Sequence, residues 1–201
     1  MKKIITLAVT DFKLIYRDPS LRAFLFFPIL LFVLVLYFLP NWIVEYEFLK
    51  PYVSVMLMVA VIENTQMFSF INSMVLIDEK ETDVAKIYGV VPMSKIQFLV
   101  SRFIFPFSIT FLLNVLLLKF QTIMPISWLS IIVISLLTAL VVPVYALAIN
   151  AKVKNRIEGM IYIKAINIIV LLPLAFYFLN GIWTKVFLLF PTFWIFESIQ
   201  N

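Results

Sequence analysis

The sequence predicts an all-α, polytopic bundle of transmembrane helices, and three observations predict it. Of the 201 residues, 64% are hydrophobic and only 13% are charged, against roughly 45–50% and about 25% in soluble domains. The apolar residues gather into runs that meet the roughly 20 residues a helix needs to cross a hydrocarbon core of about 30 Å. The basic residues, which give a net charge of +5, stand in short clusters between those runs. They form no patch interleaved with aromatics, so nucleic acid is not expected as a partner. With no Cys and no His in the chain, disulfides, thiolate ligands and the commonest general base are missing, which removes most familiar hydrolases and redox enzymes.

Residues 1–22 read as an amphipathic helix lying on the membrane surface. Ile4, Ile5, Ala8, Phe12 and Ile15 recur at helical spacing, while Lys2, Lys3, Thr6, Thr10, Lys13 and Arg17 take the other side. Asp18-Pro19 ends it, because the residue before a proline is pushed out of the α region. Two roles stay open for this segment: a basic topogenic flank, or a helix that also docks a cytoplasmic partner. The first apolar run starts late and has no small-residue cleavage site after it, so no cleaved signal peptide is expected.

Residues 23–201 read as one transmembrane helical domain. Its apolar runs are Ala23 to Val44, Pro51 to Ile77, Phe103 to Leu118, Ile123 to Ala151 and Met160 to Asn180. The third is short unless Val100 and Phe120 extend it. A sixth run, Val186 to Phe196, has about half the length needed to cross. The expectation is therefore five full spans and an outer re-entrant or interfacial helix, with a sixth span falling beyond residue 201. If the N-terminus lies in the cytoplasm of a cell-membrane protein, thirteen Lys and Arg fall in inside segments and three, Lys50, Lys119 and Lys185, fall outside. That asymmetry orients the chain.

The inside loop 78–102 carries most of the functional information. Asp78, Glu79, Glu81 and Asp83 crowd its start, with Lys80, Lys86, Lys95 and Arg102 around them and Gly89 and Pro92 in its middle. Carboxylates contribute little to orientation, so the cluster calls for another purpose. A short helix from about Glu79 to Tyr88 would put Glu79, Asp83 and Lys86 on one side, and Ser94 would cap the next helix. A solvated helical hairpin is the plainer alternative.

The string from Val75 to Ser94 resembles the inside loop of type-2 ATP-binding-cassette (ABC) exporter permeases, where span two ends in an acidic Glu-x-Glu stretch followed by a short helix and a Pro-x-Ser turn. Phe12 to Pro19, with Pro28 beyond, is similar to that family's entry into span one, and Phe190-Pro191-Thr192-Phe193-Trp194 to its Pro-aromatic motif after span five. Where many members carry Gly-Thr, this chain has Asp83-Val84. The resemblance implies a permease half that pairs with a second copy, identical or related, and sits on a dimer of ABC ATPase subunits. Asp78, Glu79, Glu81, Asp83, Lys86 and Pro92 would then form the ATPase-coupling loop. With Gly89, Gly159 and Gly181 the only glycines, no phosphate-cradling P-loop exists in the chain, so ATP and Mg would belong to the partner and no cofactor to this subunit.

Within the membrane, Glu63 lies near the middle of its run, and Gln66, Ser69 and Asn72 or Ser73 follow at three-residue steps. A carboxylate at that depth costs roughly 2.5–3.5 kcal/mol. The stripe is read either as interhelical glue or as a substrate path or dimer interface, and Asn114 and Asn167 as helix contacts. Lys164, at the start of span five, is expected to snorkel to the inner interface. The function expected is export of an amphipathic substrate, such as a lipid, glycolipid, peptide or drug, with no chemical step in this chain. The alternatives are an ion-coupled secondary transporter with Glu63 as proton site, and an intramembrane lipid enzyme. The first would show an inverted repeat and broken helices, which the sequence lacks; the second lacks His and clustered Asp.

Overall fold

The computed structural model describes residues 12–82, 94–172 and Leu188. Residues 12–17 are helical and stop at Asp18, which is extended (φ −80°, ψ 115°). Its carboxylate accepts the amides of Ser20 (2.8 Å) and Leu21 (3.3 Å), capping the next helix while Pro19 supplies a first turn that needs no donor.

That helix, α1 (Pro19–Val33), passes through a widened π turn at Leu34–Phe38 into α2 (Leu39–Glu45). The widening has a cause in Pro40, which has no N–H and crowds the carbonyl four residues back; the Leu39 amide donates to Leu34 instead. A 3₁₀ segment (Glu47–Tyr52) leads into α3 (Val53–Glu81), which is followed by α4 (Lys95–Phe120), α5 (Trp128–Lys152) and α6 (Arg156–Leu171). Among the described residues there is no strand.

Among the described residues, four segments are long and apolar enough to cross a membrane: Pro19–Glu45, Glu47–Glu81, Ile96–Phe120 and Trp128–Lys152. They correspond to the first four predicted runs, with three differences. The third run is a full helix, because Ser94 and Gln97 cap each other reciprocally (3.1 and 3.2 Å) and start it at Lys95. The fourth starts at Trp128 rather than Ile123: Gln121 Oε1 accepts the amides of Ile123 (2.8 Å) and Met124 (3.0 Å), holding that stretch as a turn, and Ser127 caps the helix. The acidic stretch opens as the last turn of α3, not as a separate helix from Glu79. The fifth run is described as far as Leu172, and apart from Leu188 the sixth lies outside the described residues.

α3 is the hub, packing against α1, α4, α5 and α6. In the most apolar window of its span 67% is buried, against 22% for the span through α1 and α2. Lipid is as apolar as leucine, so hydrophobicity does not choose which helix goes inside; close packing and polar pairing do. α3 carries Asn64, Thr65, Gln66, Ser69, Asn72 and Ser73, all buried, and among the described residues no other helix offers as many groups that lipid would leave unsatisfied. Two apolar clusters flank this polar belt, one around Leu57, Met58, Val61, Leu117 and Ile134, the other around Phe68, Met74, Ile77, Val142, Ile149 and Ile163.

Candidate functional site

Charged side chains meet at one end of the bundle, where α3 ends and α4 and α6 begin. Glu79, buried at the foot of α3, pairs with Arg102 of α4 at 2.7 Å, with side-chain exposures of 8% and 1%. The Arg102 guanidinium also lies over the Phe98 ring, 5.2 Å from its centre. Arg156, at the start of α6, reaches Asp18 at 2.7 Å and Asp78 at 3.3 Å, and its amide donates to Glu81 Oε2 at 3.1 Å. Lys80 Nζ donates to the carbonyls of Asn150 (3.0 Å) and Val153 (2.8 Å), a cation on the carbonyl-rich end of α5. The acidic stretch thus ties α1, α4, α5 and α6 to the end of α3.

Burial alone would raise the Asp18 carboxyl, but hydrogen bonds from Arg156, Leu21 and Ser20 outweigh it and hold the group below its ordinary value. Arg156 is pushed up, first by its bond to Asp18. Of the residues predicted to form the coupling loop, Asp78, Glu79 and Glu81 lie in this cluster, whereas Asp83, Lys86 and Pro92 lie outside the described residues. The sequence places Arg102 in the inside loop and counts Arg156 only as topogenic charge; nothing local marks either as the partner of a particular carboxylate.

In mid-bundle Asn114 joins three helices. Its Oδ1 accepts from Asn64 Nδ2 (2.7 Å), and its Nδ2 donates to Thr65 (3.0 Å) and Thr138 (2.9 Å). Asn114 is therefore a helix contact. Gln66 is buried, and neither end of its amide finds a partner among the described residues. Asn72 borders a space of about 20 Å³ that it shares with Arg102, Ile15 and Pro106, room for about one water molecule. Its Nδ2 makes no hydrogen bond among the described residues.

Glu63 sits apart from that belt. Met56, Val59, Glu63, Met67 and Phe70 are half-buried while the residues between them are buried, so they mark a seam along one face of α3 at helical spacing. The seam leads into a cavity of about 420 Å³ between α1, α3 and α6, whose walls include Phe24, Met67, Phe70, Met74, Arg156 and Lys164. α6 comes close to α3 here because residue 159 is glycine: a Cβ on it would stand 2.5 Å from Ile77 Cδ1. Asn167 also lines the cavity, with its Oδ1 taken by the Tyr145 hydroxyl at 2.5 Å.

A chain whose described residues form several long apolar helices around a polar hub is a multi-pass membrane protein. A family model described as "Fluoroquinolones export permease protein Rv2686c-like" matches residues 11–201. The chain belongs to that family and is an exporter permease subunit of the ABC-2 type. No curated protein and no solved structure matches it.

Proposed function

We propose that this subunit forms the membrane path of an ATP-driven drug exporter, carrying amphipathic compounds of the fluoroquinolone kind on energy from a separate ATPase. The observation that supports this best is the family match across nearly the whole chain. The charged end faces the cytoplasm, consistent with the excess of Lys and Arg in the segments on that side. There the segment following Glu81 meets a dimer of ATPase subunits, with Asp83, Lys86 and Pro92 in the contact, and a second permease copy completes the path.

The clamp explains how a push on that segment reaches the membrane. Residues 82–94 are bonded to the foot of α3 and the start of α4, and Glu79–Arg102 locks those two helices together. Arg156 and Lys80 extend the lock to α1, α6 and α5. Force arriving at the segment therefore moves the charged ends together instead of fraying one helix, as a rigid-body transition requires. In this reading Glu79 is a strut and not a docking residue, while the exposed Glu81 is available to both roles. Asn72, Gln66 and Asn114 are internal to the bundle, which leaves Glu63, on the half-buried seam, as the one of the four that faces the path or the second copy.

Copurification tests the assignment: tagged protein extracted in mild detergent should bring down a nucleotide-binding ATPase in stoichiometric amount. A functional complex without such a subunit would contradict it.

A further inference from the structure

We propose that the cavity between α1, α3 and α6 binds an anionic amphiphile, with its carboxylate or phosphate on Lys164 and Asn167 and its apolar body against Phe24, Phe70 and Met74. The inference deepens the exporter reading, on which it rests, by naming the chemistry of the occupant. At about 420 Å³ the space falls within the roughly 300–1,000 Å³ of small-molecule sites. Its walls are mostly apolar, and the three methionines among them, Met67, Met74 and Met160, adapt to bodies of different outline.

The polar groups on the wall favour an anion. Arg156 is engaged by Asp18 and Asp78, whereas Lys164 has no hydrogen bond or ion pair among the described residues and is exposed. Lys164 lies two turns along α6 from Arg156, about 12 Å further from the charged end. An ammonium on the wall of a mostly apolar cavity, with no ion pair among the described residues, calls for a counter-charge. Asn167, almost one turn on, has its carbonyl oxygen occupied by Tyr145, so what it presents to the cavity is an N–H donor. Two donors, one of them cationic, beside an apolar slot match an acid group on a greasy or aromatic body.

That acid can belong to a drug or to an anionic lipid, and one experiment separates the two. The full chain is placed in nanodiscs of phosphatidylcholine, and binding of a fluoroquinolone with a free carboxylate is followed by the anisotropy of its own fluorescence. The methyl ester of the same drug is run alongside. The free acid should bind the parent and K164R, and K164M should weaken it about tenfold or more, the size expected for a charge-assisted bond. The ester should bind weakly to all three. Displacement of the acid by phosphatidylglycerol, lost in K164M, would assign the site to lipid as well; indifference to that lipid would assign it to the drug alone. Unchanged affinity of K164M for both anions, in a chain that melts like the parent, would overturn the proposal; if K164M melts early, K164Q takes its place in the same measurements. Transport resolves the remaining ambiguity. If K164M exports the drug as well as the parent does, the cavity assignment fails and the exporter stands. If the parent binds anions through Lys164 but never exports the drug, the cavity stands and the exporter reading fails.

Discussion

Removing one partner of the Glu79–Arg102 pair gives the sharpest test of the clamp. Both side chains are almost fully enclosed, 8% and 1% exposed, and their charged atoms are 2.7 Å apart. Arg102→Met would leave the Glu79 carboxylate buried without its counter-charge, and Glu79→Leu would strand the guanidinium. Each is expected to cost about 3–5 kcal/mol, whereas the double variant removes both charges and should return to within about 1 kcal/mol of the parent. Equilibrium unfolding of the purified chain in mixed micelles, followed by circular dichroism, measures all four corners of the cycle. The folded double variant should still capture the ATPase, because Glu79 points into the bundle. Additive single effects would refute the pairing. A stable double variant that no longer binds the ATPase would refute the assignment of Glu79 as a strut.

Further expectations follow from other sites. Asn114→Leu removes three interhelical hydrogen bonds, each contributing about 0.6 kcal/mol in a membrane bundle, so a loss near 2 kcal/mol should appear in the same unfolding assay. Gln66→Met exchanges an unpartnered buried amide for an apolar chain of similar length and should leave stability unchanged or raise it. Gly159→Ala asks only the end of the Ile77 side chain to move and should be nearly neutral, while Gly159→Leu should push α6 from α3 and cost about 1–3 kcal/mol. The lowered Asp18 carboxyl contributes stability that is complete above the unfolded value, ordinarily 3.8, and is lost as pH falls through the lower folded value. Asp18→Asn should flatten that acid limb of the stability–pH curve.

Composition and the lengths of the apolar runs were enough to read the fold class, because a bilayer permits few alternatives to bundled helices. Asp18 and Ser94 were legible as punctuation: their side chains act on amides two or three residues away, within reach of a local pattern. The polar stripe on α3 was visible too, but not its division of labour. Glu63 falls on the half-buried seam and Gln66 inside, a difference set by which helices pack on each face of α3 and not by the spacing of the stripe. The pairing of the acidic stretch with Arg102 on α4 and Arg156 on α6 was not legible, because a contact between separate helices leaves no local spacing signal. The turn at 121–127 was missed because Ile123, Met124 and Ile126 are apolar, and it takes the Gln121 side chain to hold them out of the helix.

Transport by the reconstituted complex bears most directly on the whole account. The chain and its copurified ATPase are sealed into proteoliposomes, and uptake of a fluoroquinolone is followed with ATP supplied on the ATPase side. Accumulation should require both hydrolysable ATP and the second subunit, and should persist when the proton gradient is collapsed. Accumulation driven by a proton gradient, with no nucleotide and no ATPase present, would contradict it.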